Sequence, residues 1–242
     1  MAVTPAPRRK RGGLRRGTLT PELIVTESLR LLDAQGVAGF SMPNLGRALG
    51  ADPTAVYRHF SSKDDLVLAI ADRLIEEAMD GLPAHDCWVD TIIDMIRRQR
   101  RTYLAHPAAA SLSSFRTTGR PAEMRVVDRI LGAVMAAGFE GFEAAVVYRA
   151  LADFTLGFCG GEAALLALPE PAQSVDRATW TQPYRAVGHE EYPHIWRVRD
   201  ELPLVTDDDV FEAILKIVIT GLCERAPQPC TCGAHPGGAA AK

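Results

Sequence analysis

The 242 residues are 47% apolar and 24% charged, a globular balance with room for one domain and a smaller module, which excludes a disordered, collagen-like or fibrous chain. The most apolar stretch, 144–168, is interrupted by Arg149, Asp153 and Glu162, so no run of about 18 uncharged apolar residues marks a transmembrane span and no membrane partner is expected. The net charge of −3 hides an asymmetry. Residues 1–17 hold six basic groups and no acid, and the rest of the chain, with 21 basic and 30 acidic groups, carries −9. A basic arm of this kind binds polyanions by releasing condensed counterions, and equally serves as a solubilising tail. No apolar segment of a secretion signal follows it, and five cysteines form an odd set in a chain too large to need staples. Both features predict a reducing, cytoplasmic setting.

After the arm (1–19) the chain reads as helix throughout. Thr20 caps a first helix with Pro21 at its first position, Ile24, Ser28, Leu31 and Leu32 share its inner face, and Gly36 is its expected stop. Ser41 caps a short second helix closed by Gly50, and Asp52-Pro53 starts a third within three residues. Ser62-Lys63-Asp64-Asp65 has the capping-box form, and Leu66, Ile70, Leu74 and Ala78 run down one side of the fourth helix. Further helices are expected over about 88–105, 122–137, 142–168 and 208–225. The five prolines of 169–206 and the absence of a sustained period there predict a long mobile loop with at most one short helix near 195–201, and 226–242, rich in Pro, Gly and Ala, reads as a disordered tail. With no alternating β-branched pattern and no internal repeat, the class is all-α: an N-terminal helix-turn-helix domain over 20–66 and a helical ligand-binding and dimerisation domain over 67–225.

Two short helices joined at a glycine, standing on a longer helix behind a basic arm, make a DNA reader whose second helix enters the major groove. Arg58 suits guanine O6 and N7, Thr54 and Ala55 suit a thymine methyl, and Tyr57, His59 and Lys63 suit phosphates. The plainer reading makes Tyr57 and Phe60 core residues and Arg58 a solvated charge.

The runs Leu31-Leu32-Asp33-Ala34-Gln35-Gly36, Phe40-Ser41-Met42, Leu45-Gly46, Ala48-Leu49-Gly50 and Thr54-Ala55-Val56-Tyr57-Arg58-His59-Phe60, followed by Lys63 and Leu66, resemble the DNA-binding domain of TetR-type repressors. More thinly, Trp88, Leu104-Ala105-His106-Pro107, Ala137-Gly138-Phe139 and 153–158 resemble the C-terminal domain of the tetracycline repressor subgroup. The resemblance implies a homodimeric repressor released from a palindromic operator by a small molecule. It puts the DNA contacts on Met42, Pro43, Pro53, Thr54, Ala55, Tyr57, Arg58, His59 and Lys63, to which Ser41 and the arm's Arg15 and Arg16 are added. Met42 and Pro43 stand where that repressor offers a hydroxyl and an arginine to the bases, which implies a different operator. The positions holding tetracycline and its magnesium fall on Met79, Met95 and Ser113, poor ligands for a hard cation, so neither that inducer nor any metal or cofactor is expected.

A small apolar or amphipathic effector is expected among Met79, Met95, Gln99, Leu112, Phe115, Met135, Tyr148, Phe154, Phe158 and Trp180. The dimer interface is assigned to Ala150, Phe154, Ile214, Ile217, Val218 and Gly221, packed as a four-helix bundle. The other class open to the chain is a helical enzyme or small-molecule carrier whose arm binds DNA non-specifically. Its clusters are weak: His189 and His194 lie five apart, about 140° around a helix, with Pro193 between them. Cys223, Cys230, Cys232 and His235 fit no standard zinc spacing.

Overall fold

The computed structural model describes residues 19–230, so Arg15, Arg16, Cys232 and His235 lie outside the described residues. Among these residues eleven α-helices and one 3-10 turn account for all the regular structure. The first three, with the start of the fourth, make up the helix-turn-helix unit expected over 20–66. Helix α1 (Pro21–Gly39) starts at Thr20, whose hydroxyl accepts from the Leu23 amide at 3.2 Å. Gly36 kinks it rather than ending it: with φ at 65° the chain bends there, and one more turn closes through the Phe40 N–H to the Val37 carbonyl. Ser41 caps α2 (Met42–Leu49), and Gly50 ends it in the left-handed conformation that glycine adopts without a steric penalty. Asp52 caps α3 (Pro53–Val56). A Cβ on Gly46 would lie 3.0 Å from the Ala51 carbonyl oxygen and 3.1 Å from Pro53, so glycine there lets the two short helices meet.

Helix α4 (Lys63–Met79) leaves the reader with Ser62 as its cap. The reciprocal bond of the expected capping box is displaced by one residue, since the Asp65 carboxylate accepts from the Ser61 amide at 2.8 Å. Ile24, Leu32, Leu45, Val56 and Leu66, all fully buried, lock α1–α4 together. The remainder of α4 packs on α5 (Trp88–Ala105), α6 (Pro107–Ser113) and α7 (Pro121–Ala136), with α8 (Gly141–Leu166) behind them. Asp72 of α4 caps α7, accepting from the Glu123 amide at 2.9 Å and the Ala122 amide at 3.3 Å. Helix α11 (Asp207–Arg225), opened by a Thr206–Asp209 capping box, is joined to α5 and α8 by a guanidinium. Arg100, almost wholly buried, pairs with Glu162 at 2.6 Å and Asp208 at 2.7 Å and lies 4.4 Å above the Phe211 ring. Two carboxylates and a ring face satisfy a charge that would be costly to bury alone.

Two expectations fail here. Residues 169–206 hold α9 (Glu170–Arg185), α10 (Pro193–Val198) and the 3-10 turn Leu202–Leu204 instead of a long loop. No residue of α9 is fully buried; it packs on α10 and the 3-10 turn, local contacts such as Ser174 Oγ to Glu170 and Arg177 to Glu170 accompany it, and Pro183 falls in its last turn. Likewise 226–230 is not a loose tail. The Gln228 amide donates to the Ala137 carbonyl at 2.9 Å, Pro227 sits against Gly138, and Cys230 packs on the core. No single helix among the described residues is long and apolar enough to cross a membrane.

Helix α8 approaches α6 closely at Gly160, where an added Cβ would lie 2.3 Å from Ser114 Oγ and 2.6 Å from Ser114 Cβ. Gly160→Ala therefore overpacks that seam and lowers the unfolding free energy by about 1–3 kcal/mol in chemical denaturation, whereas Gly161→Ala, with open space around its Cβ, does not.

Candidate DNA-reading face and ligand cavity

The cap at Asp52 fixes how α3 is presented. Its carboxylate accepts from the Thr54 amide at 2.8 Å and the Thr54 hydroxyl at 2.7 Å, which turns Val56 and Phe60 into the core and leaves Thr54, Tyr57, Arg58 and His59 exposed on the opposite side. Tyr57 is 49% exposed and Phe60 3%, so the pair divides between the surface and the core. Pro43 is exposed, and Pro53 and Ala55 are half-buried at the edge of the same face.

Three residues placed on DNA by the sequence are engaged inside the protein. Met42 is buried in the core, because the first position of α2 faces α1, which removes it from the set able to reach a base. The Ser41 hydroxyl is occupied as a helix cap, accepting from the Asn44 amide at 3.3 Å. The Lys63 ammonium donates to the Phe40 carbonyl at 2.9 Å and sits over the Phe40 ring; with three N–H groups it keeps donors for a second partner. Arg47, exposed on α2 and bonded to Asn44, is a cation near this face that the sequence reading passed over.

A cavity of about 90 Å3 lies among α4, α5, α7 and α8. Each helix contributes one stripe: Ala71, Ile75 and Met79 from α4; Ile92, Met95, Gln99 and Tyr103 from α5; Glu123, Val126, Val127 and Ile130 from α7; Tyr148, Leu151, Ala152 and Thr155 from α8. The spacings of three and four are those of residues stacked along one helix face. Ser113, Ser114 and Arg116, at the end of α6 and just beyond it, close one side. Burial pushes the Tyr103 phenol well above its ordinary value, and burial with Glu123 nearby raises Tyr148, so both remain O–H groups.

Of the residues expected around an effector, Met79, Met95, Gln99 and Tyr148 stand on this wall. The other six do not. Phe154 and Phe158 form a ring series with Phe211, with centroids 6.3 and 5.9 Å apart, and seat α11. Met135 is 55% exposed, because five residues beyond Ile130 is about 140° around the helix. Leu112 packs on the core beside the wall, Phe115 is 73% exposed, and Trp180 belongs to α9, stacked on Tyr184. The α5 stripe through Tyr103 and the α7 stripe were the signals available for finding the rest. Among the described residues no three His, Cys, Asp or Glu side chains converge as they would on a metal ion.

Cavity and reader are tied together through α4. Arg116, on the cavity wall, makes two bonds to Asp64 at 2.6 and 2.8 Å, and Arg120 pairs with Asp65 at 2.5 Å. At the other end His106 bridges Asp33 of α1 at 3.0 Å and Glu77 of α4 at 3.2 Å.

Hydrogen bonds from Thr54 hold the Asp52 carboxyl below its usual range, the Arg116 guanidinium does the same for Asp64, and the Ser61 amide for Asp65. Because these folded-state values are depressed, their stabilisation is complete above the unfolded-state value of about 3.9 and is lost as pH falls through the lower folded values. Thermal unfolding followed by circular dichroism should therefore be flat between about pH 7 and 5 in these contributions and fall below about pH 4. In Asp65→Asn the midpoint at neutral pH should be lower and the acid-induced fall shallower.

The family description "Bacterial regulatory proteins, tetR family" matches residues 24–70, and "Tetracyclin repressor-like, C-terminal domain" matches 81–226. An HTH-type transcriptional regulator of Saccharopolyspora erythraea is 32% identical over 144 residues, which is 60% of this chain and 61% of that protein. The class A tetracycline repressor found in Escherichia coli is 30% identical over 57% of this chain and 65% of its own length. These matches thus span about three fifths of the relatives' length. A crystal structure of a possible TetR family regulator from Streptomyces coelicolor superposes with a TM-score of 0.71 at 28% identity, covering 84% of this chain and 98% of that one. The two family matches take in the helix-turn-helix and the cavity-bearing helices alike, and the chain belongs to the TetR family of bacterial transcriptional regulators.

Proposed function

We propose that the protein is a homodimeric transcriptional repressor of the cytoplasm that binds a palindromic operator and is released from it by a small-molecule effector. The observation that carries this reading is the sharing of α4: its first residue, Lys63, donates to the Phe40 carbonyl between α1 and α2, and Ala71, Ile75 and Met79 further along it wall the cavity. Thr54, Ala55, Tyr57, Arg58 and His59 read the major groove and its phosphates, with Pro43, Pro53 and Lys63 at the margin and the arm reaching further backbone. Two such readers about 34–36 Å apart in a dimer address half-sites one helical turn apart. The interface falls on α8 and α11, where Ala150 is exposed, Ile217 is 70% exposed, and Phe154, Ile214, Val218 and Gly221 are half-covered. Apolar side chains left open on two adjacent helices suit a bundle with a second copy.

Effector release follows as a population shift. A ligand that binds best when the helices around the cavity are rearranged favours the conformer in which Arg116, Arg120 and His106 hold α4 differently. The readers are then wrongly spaced for DNA, and affinity falls by a coupling free energy of about 1–3 kcal/mol.

Selection of the full chain against a randomised duplex library, followed by salt titration of the enriched sites, tests the reading. An inverted repeat should emerge, bound about 1–3 kcal/mol more weakly by Arg58→Ala and with log affinity falling linearly with log salt. Salt-sensitive binding without any enriched sequence, unchanged in Arg58→Ala, would leave DNA contact to the arm alone and favour a carrier or an enzyme.

A further inference from the structure

Three of the five cysteines meet in the larger domain. Cys87 is the residue before α5, Cys223 lies in the last turn of α11 close enough to Cys87 for their charges to interact, and Cys230 ends the segment that follows. The Cys87 and Cys230 sulfurs are 2.9 Å apart although 143 positions separate them in the chain. The bond from the Gln228 amide to the Ala137 carbonyl pins the segment that carries Cys230, so the approach is set by the fold. Cys87 and Cys223 are buried free thiols, whereas Cys230 is half-buried and disulfide-bonded. A reduced sulfur is thereby held against an oxidised one, and neither the reader nor the cavity uses either of them.

Exchange between a thiol and a disulfide needs the attacking sulfur in contact with one sulfur of the bond it breaks, and the attacker is the thiolate. Cys87 meets the first condition. The other two free thiols are poorer attackers. Burial, with Cys87 nearby, raises the Cys223 thiol, and burial on α8, with Glu162 nearby, pushes Cys159 up to about 12, so both stay as S–H groups.

We propose that Cys87 and Cys230 form a thiol–disulfide exchange site, at which the Cys87 sulfur displaces the sulfur bonded to Cys230. One S–S bond forms and one breaks. The proton given up by Cys87 goes to the departing sulfur, which leaves as a thiol, and no external oxidant is consumed. The product ties the segment beyond α11 to the start of α5, and the loop it closes encloses every helix from α5 to α11. The helix fastened in this way is the one whose Ile92, Met95, Gln99 and Tyr103 wall the cavity.

The test is disulfide mapping of the full chain held in a buffer of reduced and oxidised glutathione, quenched with acid, alkylated and digested with trypsin. Cleavage at Lys and Arg puts Cys87 in peptide 74–97, Cys223 in 217–225, and Cys230 with Cys232 in 226–242. Peptides 74–97 and 226–242 should be found joined, about tenfold or more in native buffer over concentrated urea, because only the fold brings the two sulfurs together. The joined pair should persist in Cys223→Ser and vanish in Cys87→Ser. In Cys232→Ser it should also persist: oxidised glutathione forms a mixed disulfide at Cys230, and Cys87 displaces glutathione as the thiol. Glutathione retained on Cys230 with Cys87 fully alkylated, or a joined pair no more abundant in native buffer than in urea, would overturn the proposal. Should Cys87→Ser fail to fold, the comparison of native buffer with urea on the natural protein still decides.

Discussion

Along a single helix, α4, the carboxylates of Asp64, Asp65, Asp72 and Glu77 are held in turn by Arg116, Arg120, the first amides of α7 and His106. The other half of the helix surface is apolar and fully buried at Leu66, Ile70 and Leu74. Reader and cavity therefore cannot be placed independently: a displacement of α4 by part of an ångström lengthens charged contacts on one side and disturbs close packing on the other. Exposed ion pairs of this sort contribute only about 0–1 kcal/mol each, so their importance lies less in stability than in register. They decide where along α6 and α7 the helix stops.

The two sites ask different things of their residues. On the reader, short helices of eight and four residues are too brief to persist alone, so the caps at Ser41, Asp52 and Ser62, with Gly46 and Gly50 at the seam, do the shaping. In the larger domain the helices run to 26 residues, and packing decides. The buried Arg100 group joins three of them, and the ring series through Phe154, Phe158 and Phe211 fills the space beside it. The cavity remains where four stripes fail to meet.

The parts of this arrangement readable from sequence are those governed by local chemistry. Caps and stops at Thr20, Ser41, Gly50, Asp52 and Ser62 involve neighbours three or four residues away, and they located the first four helices closely. Long-range choices were less legible. Phe154 and Phe158 are chemically as suited to a ligand as Met95 is, and only the seating of α11 directs them elsewhere. Met42 was placed on DNA by the motif it belongs to, yet its apolar side chain turns inward. Helix α9 escaped notice because none of its residues is fully buried and prolines stand at its start and in its last turn.

The account stands on the coupling of operator to cavity through α4, and by linkage that coupling must act in both directions. The amides of Thr118, Gly119, Ala122 and Glu123 report on it directly, since they donate to Glu123 or to Asp72 between the cavity and the helix. Amide hydrogen exchange of the full chain, free and saturated with the selected operator, is the decisive measurement. Slower exchange at these four amides on operator binding, abolished in Asp72→Asn, is the predicted result; protection confined to 41–63, with these amides unchanged, would contradict it.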